Sequence, residues 1–280
     1  MSCHREIKLE DDERVDLLRE GLWIVHRERG HRATTDDQLL AWAALDELAR
    51  RAQGGRLSIL ELGMGKATVS LWLSSGLSEA LFFGLEAFEQ SYALSLKNRQ
   101  LNQLDSRIFP LHADLRNSES WSEVAALRSQ VTGRSGEGIK VFQVVLGAPP
   151  FMPLGSGVLP QDAQRASGRF ELKGGVEAYL RAAEACLAPE GFAVILMDGL
   201  GEQRAIKAVE SAGLRLLRLL RVKPRPAKPT TYCLLFCERP ALGSALTAPS
   251  PEADSLVMRD LEGGDWSAEY QEVRELLGLS

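Results

Sequence analysis

The feature that most constrains the fold of this chain is a regular alternation of short apolar runs with helical stretches, beginning near residue 57. Each apolar run has the length of a strand, and the segment after it carries apolar residues at helical spacing. Strands and helices that alternate in this way form a parallel sheet covered by helices on both faces. The sequence therefore predicts an α/β fold with a doubly wound, mostly parallel, seven-stranded sheet, its strands at 57–62, 80–85, 108–111, 141–146, 191–197, 215–222 and 231–237.

The last two predicted strands are joined by a proline-containing turn and should form an antiparallel edge of the sheet. We divide the chain into an N-terminal extension (1–30), the α/β domain (31–240) and a C-terminal linker with a short helix (241–280). Cys233 and Cys237 both fall in the last strand, where their spacing places them on one face. Four cysteines are too few and too scattered for a disulfide framework, and no metal site is indicated.

Composition and charge argue against several classes of protein. No apolar run approaches the roughly 20 residues that span a bilayer, so no membrane partner is predicted. The acidic N-terminus lacks the apolar core of a signal peptide, which predicts a soluble, cytoplasmic protein. The net charge of −5 argues against a surface built throughout for nucleic acid, although basic residues gather at 27–32 and 215–228. Either cluster alone is typical of a solvated face.

The first candidate site follows the first predicted strand. Glu61 precedes a loop that contains Gly63 and Gly65, and a helix begins directly after this loop. Glycines just past a strand let the backbone approach a ligand closely, and the helix N-terminus offers free N–H groups. Ligands bind at this carboxyl edge of doubly wound sheets. Because Ala67 occupies the third glycine position of such loops, a structural turn is nearly as compatible with the loop alone as a nucleotide site.

Acidic side chains at the next two strand ends strengthen the prediction of a ligand site. Glu86 ends the second strand, about twenty residues on, where an acid can bind both ribose hydroxyls. Asp114 follows the third strand, where an acid can meet the amino group of adenine. Each acid alone is a common helix cap. Three strand ends of this kind in this order favour a ligand site over helix caps.

A proline-rich segment, Gly147-Ala148-Pro149-Pro150-Phe151, follows the fourth predicted strand. The two prolines fix the backbone and leave carbonyl groups without competing N–H donors. The aromatic ring beside them can stack on a base. Elsewhere in the chain a rigid turn would be a sufficient explanation, but here the segment ends the strand that faces the predicted ligand.

Together these segments resemble amino-group methyltransferases that carry an Asn/Asp-Pro-Pro-aromatic motif. More narrowly, the chain is similar to the bacterial tRNA adenine-N6 methyltransferases that act beside the anticodon of valine tRNA. The resemblance runs from about Gly30 to Leu277. Its matches are Thr34-Thr35-Asp36-Asp37-Gln38-Leu39-Leu40, Glu61-Leu-Gly-Met-Gly, Asn98-Arg-Gln-Leu-Asn102, Gly155-Ser-Gly157, Arg169-Phe-Glu-Leu172, Arg225-Pro-Ala-Lys-Pro229 and Trp266-Ser-Ala-Glu-Tyr270.

The resemblance implies S-adenosyl-L-methionine as the methyl donor, tRNA or another RNA as the partner, and residues 31–240 as a methyltransferase domain. The residues that it places around the donor are Thr35, Asp36, Glu61, Gly63, Gly65, Glu86 and Asp114. The implied catalytic segment, which would hold the target base, is Ala148, Pro149, Pro150 and Phe151. The implied RNA contacts are Arg225, Lys228, Arg32 and Arg169.

Ala148 departs from the pattern of the family, which has Asn or Asp at this position. That side chain and the next proline carbonyl accept hydrogen bonds from the target amine, and here only the Pro149 carbonyl remains. Losing one preorganised hydrogen bond of this kind costs on the order of 10²–10³ in rate. Three hypotheses stay open, in this order: an active RNA adenine-N6 methyltransferase, a donor- and RNA-binding protein with impaired catalysis, and a protein glutamine methyltransferase. A monomer is favoured.

Overall fold

The computed structural model describes residues 7–53, 55–134, 139, 141–240, 252–260 and 264–279. In this part of the chain the strands are β1 (Glu13–Arg19), β2 (Leu22–Arg27), β3 (Ser58–Leu62), β4 (Leu81–Glu86), β5 (Ile108–His112), β6 (Phe142–Gly147), β7 (Leu187–Asp198), β8 (Arg215–Lys223), β9 (Tyr232–Glu238) and β10 (Glu252–Val257). The α-helices are α1 (Thr35–Arg50), α2 (Thr68–Gly76), α3 (Glu89–Leu101), α4 (Ser118–Thr132), α5 (Ala163–Ser167), α6 (Val176–Cys186), α7 (Glu202–Ser211) and α8 (Ala268–Leu276).

A large sheet forms the centre of the protein, with the strand order β10-β8-β9-β7-β6-β3-β4-β5. Its neighbouring strands are parallel, except that β9 runs antiparallel to both β7 and β8. The predicted doubly wound, mostly parallel α/β fold is thereby confirmed. Chain order changes direction between β3 and β6, and at such a point a crevice opens outside the carboxyl ends of the strands.

This sheet has eight strands, one more than predicted. The additional strand, β10, has the polar sequence Glu-Ala-Asp-Ser-Leu-Val and comes from a segment predicted as linker. It pairs in parallel with β8, from Glu252 opposite Arg218 to Val257 opposite Lys223. Without it β8 would present unpaired backbone groups at the edge of the sheet. The antiparallel strand β9 lies between β8 and β7, and β10 forms the edge of the sheet beyond β8.

Alternating side chains of β9 pack against helices on the two faces of the sheet. Leu234 and Phe236 belong to the core that includes α1, α2 and α8. Cys233, Leu235 and Cys237 belong to the core that includes α6 and α7. The predicted common face of the two cysteines is confirmed. Both thiols are buried and free, and burial raises the pKa of Cys233 to about 12, so these thiols are packing groups rather than nucleophiles.

The N-terminal part of the chain forms a β1–β2 hairpin that two asparagines attach to α3. Asn98 accepts a hydrogen bond from Val25 N at 2.6 Å and donates to Val25 O at 3.2 Å and Lys66 O at 2.9 Å. Asn102 forms the same pair of bonds with Trp23, at 2.9 and 2.8 Å. The Asn-x-x-x-Asn helix therefore anchors the hairpin and also supports the loop that contains Lys66.

We expect Asn98→Ala to lower the free energy of unfolding by about 2 kcal/mol, because its three backbone partners would be left without a hydrogen bond. The Asn98 side chain is fully buried, so water cannot easily replace it. Asn102→Ala is the matched control; its side chain is only half-buried, and we expect a loss of about 1 kcal/mol. Urea unfolding measures both values, and equal losses in the two variants would contradict this account.

No helix in the described part of the chain is long and apolar enough to cross a membrane. In the same residues, no three His, Cys, Asp or Glu side chains are grouped as metal ligands.

Candidate functional site

A cleft opens at the carboxyl ends of β3, β4, β5 and β6, which include the point where chain order changes direction. Its walls are the loops after these four strands and the start of α1. Most of the residues assigned from sequence to the donor and the target base line this cleft: Asp36, Glu61, Gly63, Gly65, Glu86, Asp114, Ala148, Pro149, Pro150 and Phe151.

The loop after β3 has the backbone conformation that its glycines predict. Gly63 and Gly65 have φ angles of +65° and +60°, in the left-handed region where glycine carries no steric penalty. A Cβ added at Gly63 would lie 2.1 Å from Tyr179 Oη, whereas Gly65 has open space beside it. Ala67 is left-handed as well, with φ +67°, a conformation that costs an L residue about 1–2 kcal/mol. The loop backbone at Gly65 is thus directly accessible to a ligand.

Glu86 ties this loop to the end of β4. Its Oε2 accepts a hydrogen bond from Gly65 N at 2.7 Å, and its Oε1 accepts one from Phe88 N at 2.7 Å. Burial raises the pKa of Glu86, although the backbone donors oppose the shift. Each carboxylate oxygen has a second lone pair. The group can therefore accept hydrogen bonds from a ligand while it holds the loop.

Glu61 is buried beneath the first turn of α2. Its Oε2 accepts hydrogen bonds from Ser70 Oγ at 2.5 Å and from Ser70 N at 3.2 Å. Burial raises the pKa of Glu61 from 4.5 to about 8, against the effect of these hydrogen bonds. The protonated form is consequently favoured at neutral pH when no ligand is bound.

The raised pKa of Glu61 predicts how stability depends on pH. Between pH 4.5 and about 8 the folded protein keeps a proton that the unfolded chain releases. By linkage, stability should fall as pH rises through this range. Glu61→Gln keeps an acceptor for Ser70 and should reduce the fall, because it has no proton to lose. Urea unfolding of both ligand-free proteins at the two ends of the range measures the difference, and identical pH profiles would exclude the effect.

Asp114 lies at the β5 end of the cleft, where its carboxylate already has partners. Arg116 donates through N and Nε to Oδ1, each at 3.0 Å, and through Nη2 to Oδ2 at 2.7 Å. Lys173 Nζ lies 3.7 Å from Oδ2. The hydrogen bonds from Arg116 are the main cause of a lowered pKa for Asp114. The group is therefore an ionised acceptor that a ligand amino group would share with Arg116.

The start of α1 brings two acids to the cleft. Thr34 caps the helix, and its N–H donates to Asp37 Oδ2 at 3.1 Å. Asp36 and Asp37 both line the cleft, whereas Thr35, which the resemblance placed over the donor, does not. Burial raises the pKa of Asp37 to about 6. The start of α1 therefore contributes the two carboxyl groups of Asp36 and Asp37 to the cleft wall.

The Ala148–Phe151 segment lines the cleft on the β6 side. Ala148 is half-buried and Pro149 is buried. A Cβ added at Gly147 would lie 2.7 Å from Tyr179 Cδ1, so no side chain there can replace the amide missing at Ala148. The Phe151 ring lies 6.2 Å from the ring of Tyr232. Phe151 lines the cleft, and Tyr232 packs against it from outside the cleft lining.

Sequence reasoning left several residues of the cleft wall unassigned. Tyr179 lies on the buried face of α6, where apolar spacing predicts only core packing, so no pattern could have identified it. It is 6% exposed, and its Oη has no hydrogen-bond partner among the described residues. For Lys66 the sequence did offer a signal, because a cation inside the glycine loop is a candidate ligand contact. The full set of unassigned polar residues is His31, Asp37, Lys66, Thr68, Ser91, Gln164, Ser167, Lys173 and Tyr179.

Half of the basic run at 215–228 is neutralised by ion pairs. Arg215, Arg218 and Arg221 bind acids of β9, α1 and α7 respectively. Arg225 and Lys228 are exposed in the turn between β8 and β9. This turn lies at the same edge of the sheet as the cleft, because β9 starts opposite the end of β7. Two exposed cations of the run are therefore placed near the cleft.

A second group of cations, here called the arginine surface, consists of Arg29, Arg32, Arg165 and Arg169. They surround a concave surface that shares His31 with the cleft. All four are exposed, and none forms an ion pair with another described residue. Burial lowers the pKa of His31, and Lys66, Arg165 and Arg169 lower it further, as expected in a positive field. The predicted RNA contacts Arg32 and Arg169 thus lie together, beside the cleft.

These features define a doubly wound protein with a ligand cleft at its switch point, and comparison with solved structures identifies the class of fold. It is the class I, Rossmann-like fold of S-adenosylmethionine-dependent methyltransferases. The predicted O-methyltransferase of Agrobacterium tumefaciens superposes with a TM-score of 0.61 at 17% identity, over 88% of this chain and 98% of that one. A 16S rRNA N2 methyltransferase of T. thermophilus, in complex with AdoMet and guanosine, gives 0.52 at 19% identity, over 84% and 52%.

Two curated proteins resemble the chain in sequence. The tRNA1(Val) (adenine(37)-N6)-methyltransferase of Photobacterium profundum is 24% identical over 245 residues, which are 86% of this chain and 88% of that protein. A human release factor glutamine methyltransferase is 30% identical over 92 residues, 31% of this chain. The matched segment spans only 27% of the human protein. No protein-family model matches the chain.

Proposed function

We propose that this protein binds S-adenosyl-L-methionine in the cleft and transfers its methyl group to the N6 amine of an adenine in RNA, a tRNA in particular. The observation that carries the proposal is the arrangement of Glu61, Glu86 and Asp114 along one cleft that ends in Ala148–Phe151. The similarity to a tRNA adenine-N6 methyltransferase over most of the chain supports the same substrate class.

The polar groups of the cleft fit such a donor. Glu86 can accept hydrogen bonds from the ribose hydroxyls, and Asp114 from the adenine amine. Gly65 lets the donor approach the loop backbone, since nothing lies within 4 Å of a Cβ built there. Tyr179 is only 6% exposed and lines the cleft, and its Oη has no hydrogen-bond partner among the described residues, so it is available to a ligand or to water.

The donor supplies an electrophilic methyl group, and the protein's task is to aim the amine at it. The Pro149 carbonyl can accept a hydrogen bond from the target amine and orient its lone pair. The amine nitrogen forms a bond to the methyl carbon as the carbon–sulfur bond breaks, and it then releases a proton to water. Phe151 can stack on the base, which must leave its helix to reach the cleft. No strong general base is required.

RNA as the substrate is supported by the cations outside the cleft. The arginine surface shares His31 with the cleft, and its four guanidinium groups lack protein partners in the described part of the chain. Arginines bind phosphate in bidentate fashion and also stack on bases. Arg225 and Lys228 add two exposed cations at the same edge of the sheet. A nucleic acid that enters the cleft would meet these groups.

The test is transfer of radiolabelled methyl from S-adenosyl-L-methionine to unmodified bulk tRNA, followed by nucleoside analysis. Label in N6-methyladenine is the expected result. Donor binding without transfer to any RNA would instead support a second candidate, a donor- and RNA-binding protein with impaired catalysis, which the alanine at position 148 favours. The human relative supports a third candidate function, which is methylation of a glutamine amide in a protein. Label in a release factor but not in RNA would identify it.

A further inference from the structure

Lys66 is a buried cation in the wall of the cleft. It follows Gly65 in the loop, two residues before the start of α2, and is only 5% exposed. Its backbone is held by Asn98, but its Nζ forms neither a hydrogen bond nor an ion pair with any described residue. Burying an ammonium group without acceptors is energetically costly. Nothing among the described residues supplies such an acceptor, so the ammonium group is free to bind an anionic group that enters the cleft.

The acids around Lys66 are engaged elsewhere. Asp37 and Asp36, followed by Glu61, favour the charged form of Lys66, yet burial prevails and lowers the pKa of Lys66. The Glu61 carboxyl is bonded to Ser70, and Asp37 caps α1. None of these acids forms a direct ion pair with Lys66. This end of the cleft thus presents a cation and acids side by side, a combination that suits a ligand group with both charges.

The order of the strands indicates which part of the donor reaches this end. Asp114 follows β5, Glu86 ends β4 and Glu61 lies near the end of β3, and these strands are consecutive in the sheet. If Asp114 and Glu86 bind the adenine and the ribose, the α-amino-acid end of the donor reaches β3 and the start of α2. There the first N–H groups of α2 favour an anion as well.

We propose that Lys66 binds the α-carboxylate of the methyl donor, while Asp36 and Asp37 receive its α-ammonium group. This inference rests on the donor binding of the proposed function and names the residue that recognises the amino-acid end. Because the carboxylate would provide the acceptor that Lys66 lacks, a ligand without it should bind much more weakly. The buried ammonium then selects for the intact donor.

The experiment compares S-adenosyl-L-methionine with its decarboxylated analogue, which lacks only the carboxylate, by isothermal titration calorimetry. We expect the wild-type protein to bind the intact donor about 10- to 100-fold more tightly, as for a hydrogen bond between charged groups. Lys66→Met should bind the two compounds with equal affinity. Lys173→Met, a matched change at the Asp114 end of the cleft, should retain the wild-type preference.

Each other outcome has a distinct meaning. Equal binding of both compounds by the wild type, or a preference that persists in Lys66→Met, overturns the assignment of Lys66. Failure of the wild type to bind either compound overturns the proposed function itself. If inorganic phosphate competes with the donor and the protein does not prefer the donor that carries the carboxylate, Lys66 binds a phosphate group. This result also overturns the proposal. If Lys66→Met does not fold, Lys66→Gln is used in the same test. If neither variant folds, the wild-type preference for the intact donor over the decarboxylated analogue decides whether the carboxylate is recognised.

Discussion

Ala148→Asn is expected to raise the rate of methyl transfer to RNA by about 10²–10³-fold, the value of one preorganised hydrogen bond at a reacting group. Under the proposed function, the target amine of the wild type has only the Pro149 carbonyl to orient it. Ala148 is half-buried and lines the cleft, so an asparagine side chain would meet the amine there. Initial rates with saturating donor and tRNA measure the effect.

Two controls separate this gain from a general effect of a new amide. Ala113→Asn makes the same change at the β5 side of the cleft and should leave the rate unaltered or lower. Donor affinity should be similar in wild type and Ala148→Asn, because the added hydrogen bond is made to the target amine. An unchanged or lower rate for Ala148→Asn would contradict the hypothesis that the target amine lacks a hydrogen bond at position 148.

Reversal of two charges on the arginine surface, by Arg165→Glu with Arg169→Glu, is expected to weaken tRNA binding about 100-fold at low salt. Each arginine that contacts a phosphate releases a counterion, and the loss of two contacts should reduce the slope of log affinity against log salt by about 1.4 to 1.8. The new carboxylates also repel the phosphates. Both side chains are exposed, so the fold should be unaffected. Filter binding across a salt series measures affinity and slope together.

The matched control places the same charge change on exposed helical positions, by Arg181→Glu with Lys207→Glu. Both residues are exposed and neither lines the cleft or the arginine surface. This variant should lose little affinity. The pair Arg225→Glu with Lys228→Glu tests the turn between β8 and β9 in the same way. Equal and small losses of tRNA affinity in all three variants would show that these cations form a solvated face and not an RNA-binding surface.

Much of the architecture was predictable because strand and helix signals here are local. All seven predicted strands are present in the sheet. They and the loop of Gly63 and Gly65 depend on apolar spacing and on glycine conformations, which neighbouring residues largely determine. β10 could not be predicted in the same way. Its polar sequence becomes a strand only because the backbone of β8 offers an unpaired edge, and that edge exists only in the folded sheet.

The candidate site shows the same division between local and tertiary information. The sequence by itself determined the doubly wound fold. It also determined that Glu61, Glu86 and Asp114 lie together at the ligand-binding edge, because strand ends in such a fold meet at one edge. Only the tertiary structure decided that Tyr179 and Asp37 line the cleft and that Thr35 does not. It also decided that Arg218 forms an ion pair with Asp46, and that Arg165 lies with Arg32 on the arginine surface beside the cleft. Burial and ion pairing depend on residues distant in sequence, so no local pattern carries this information.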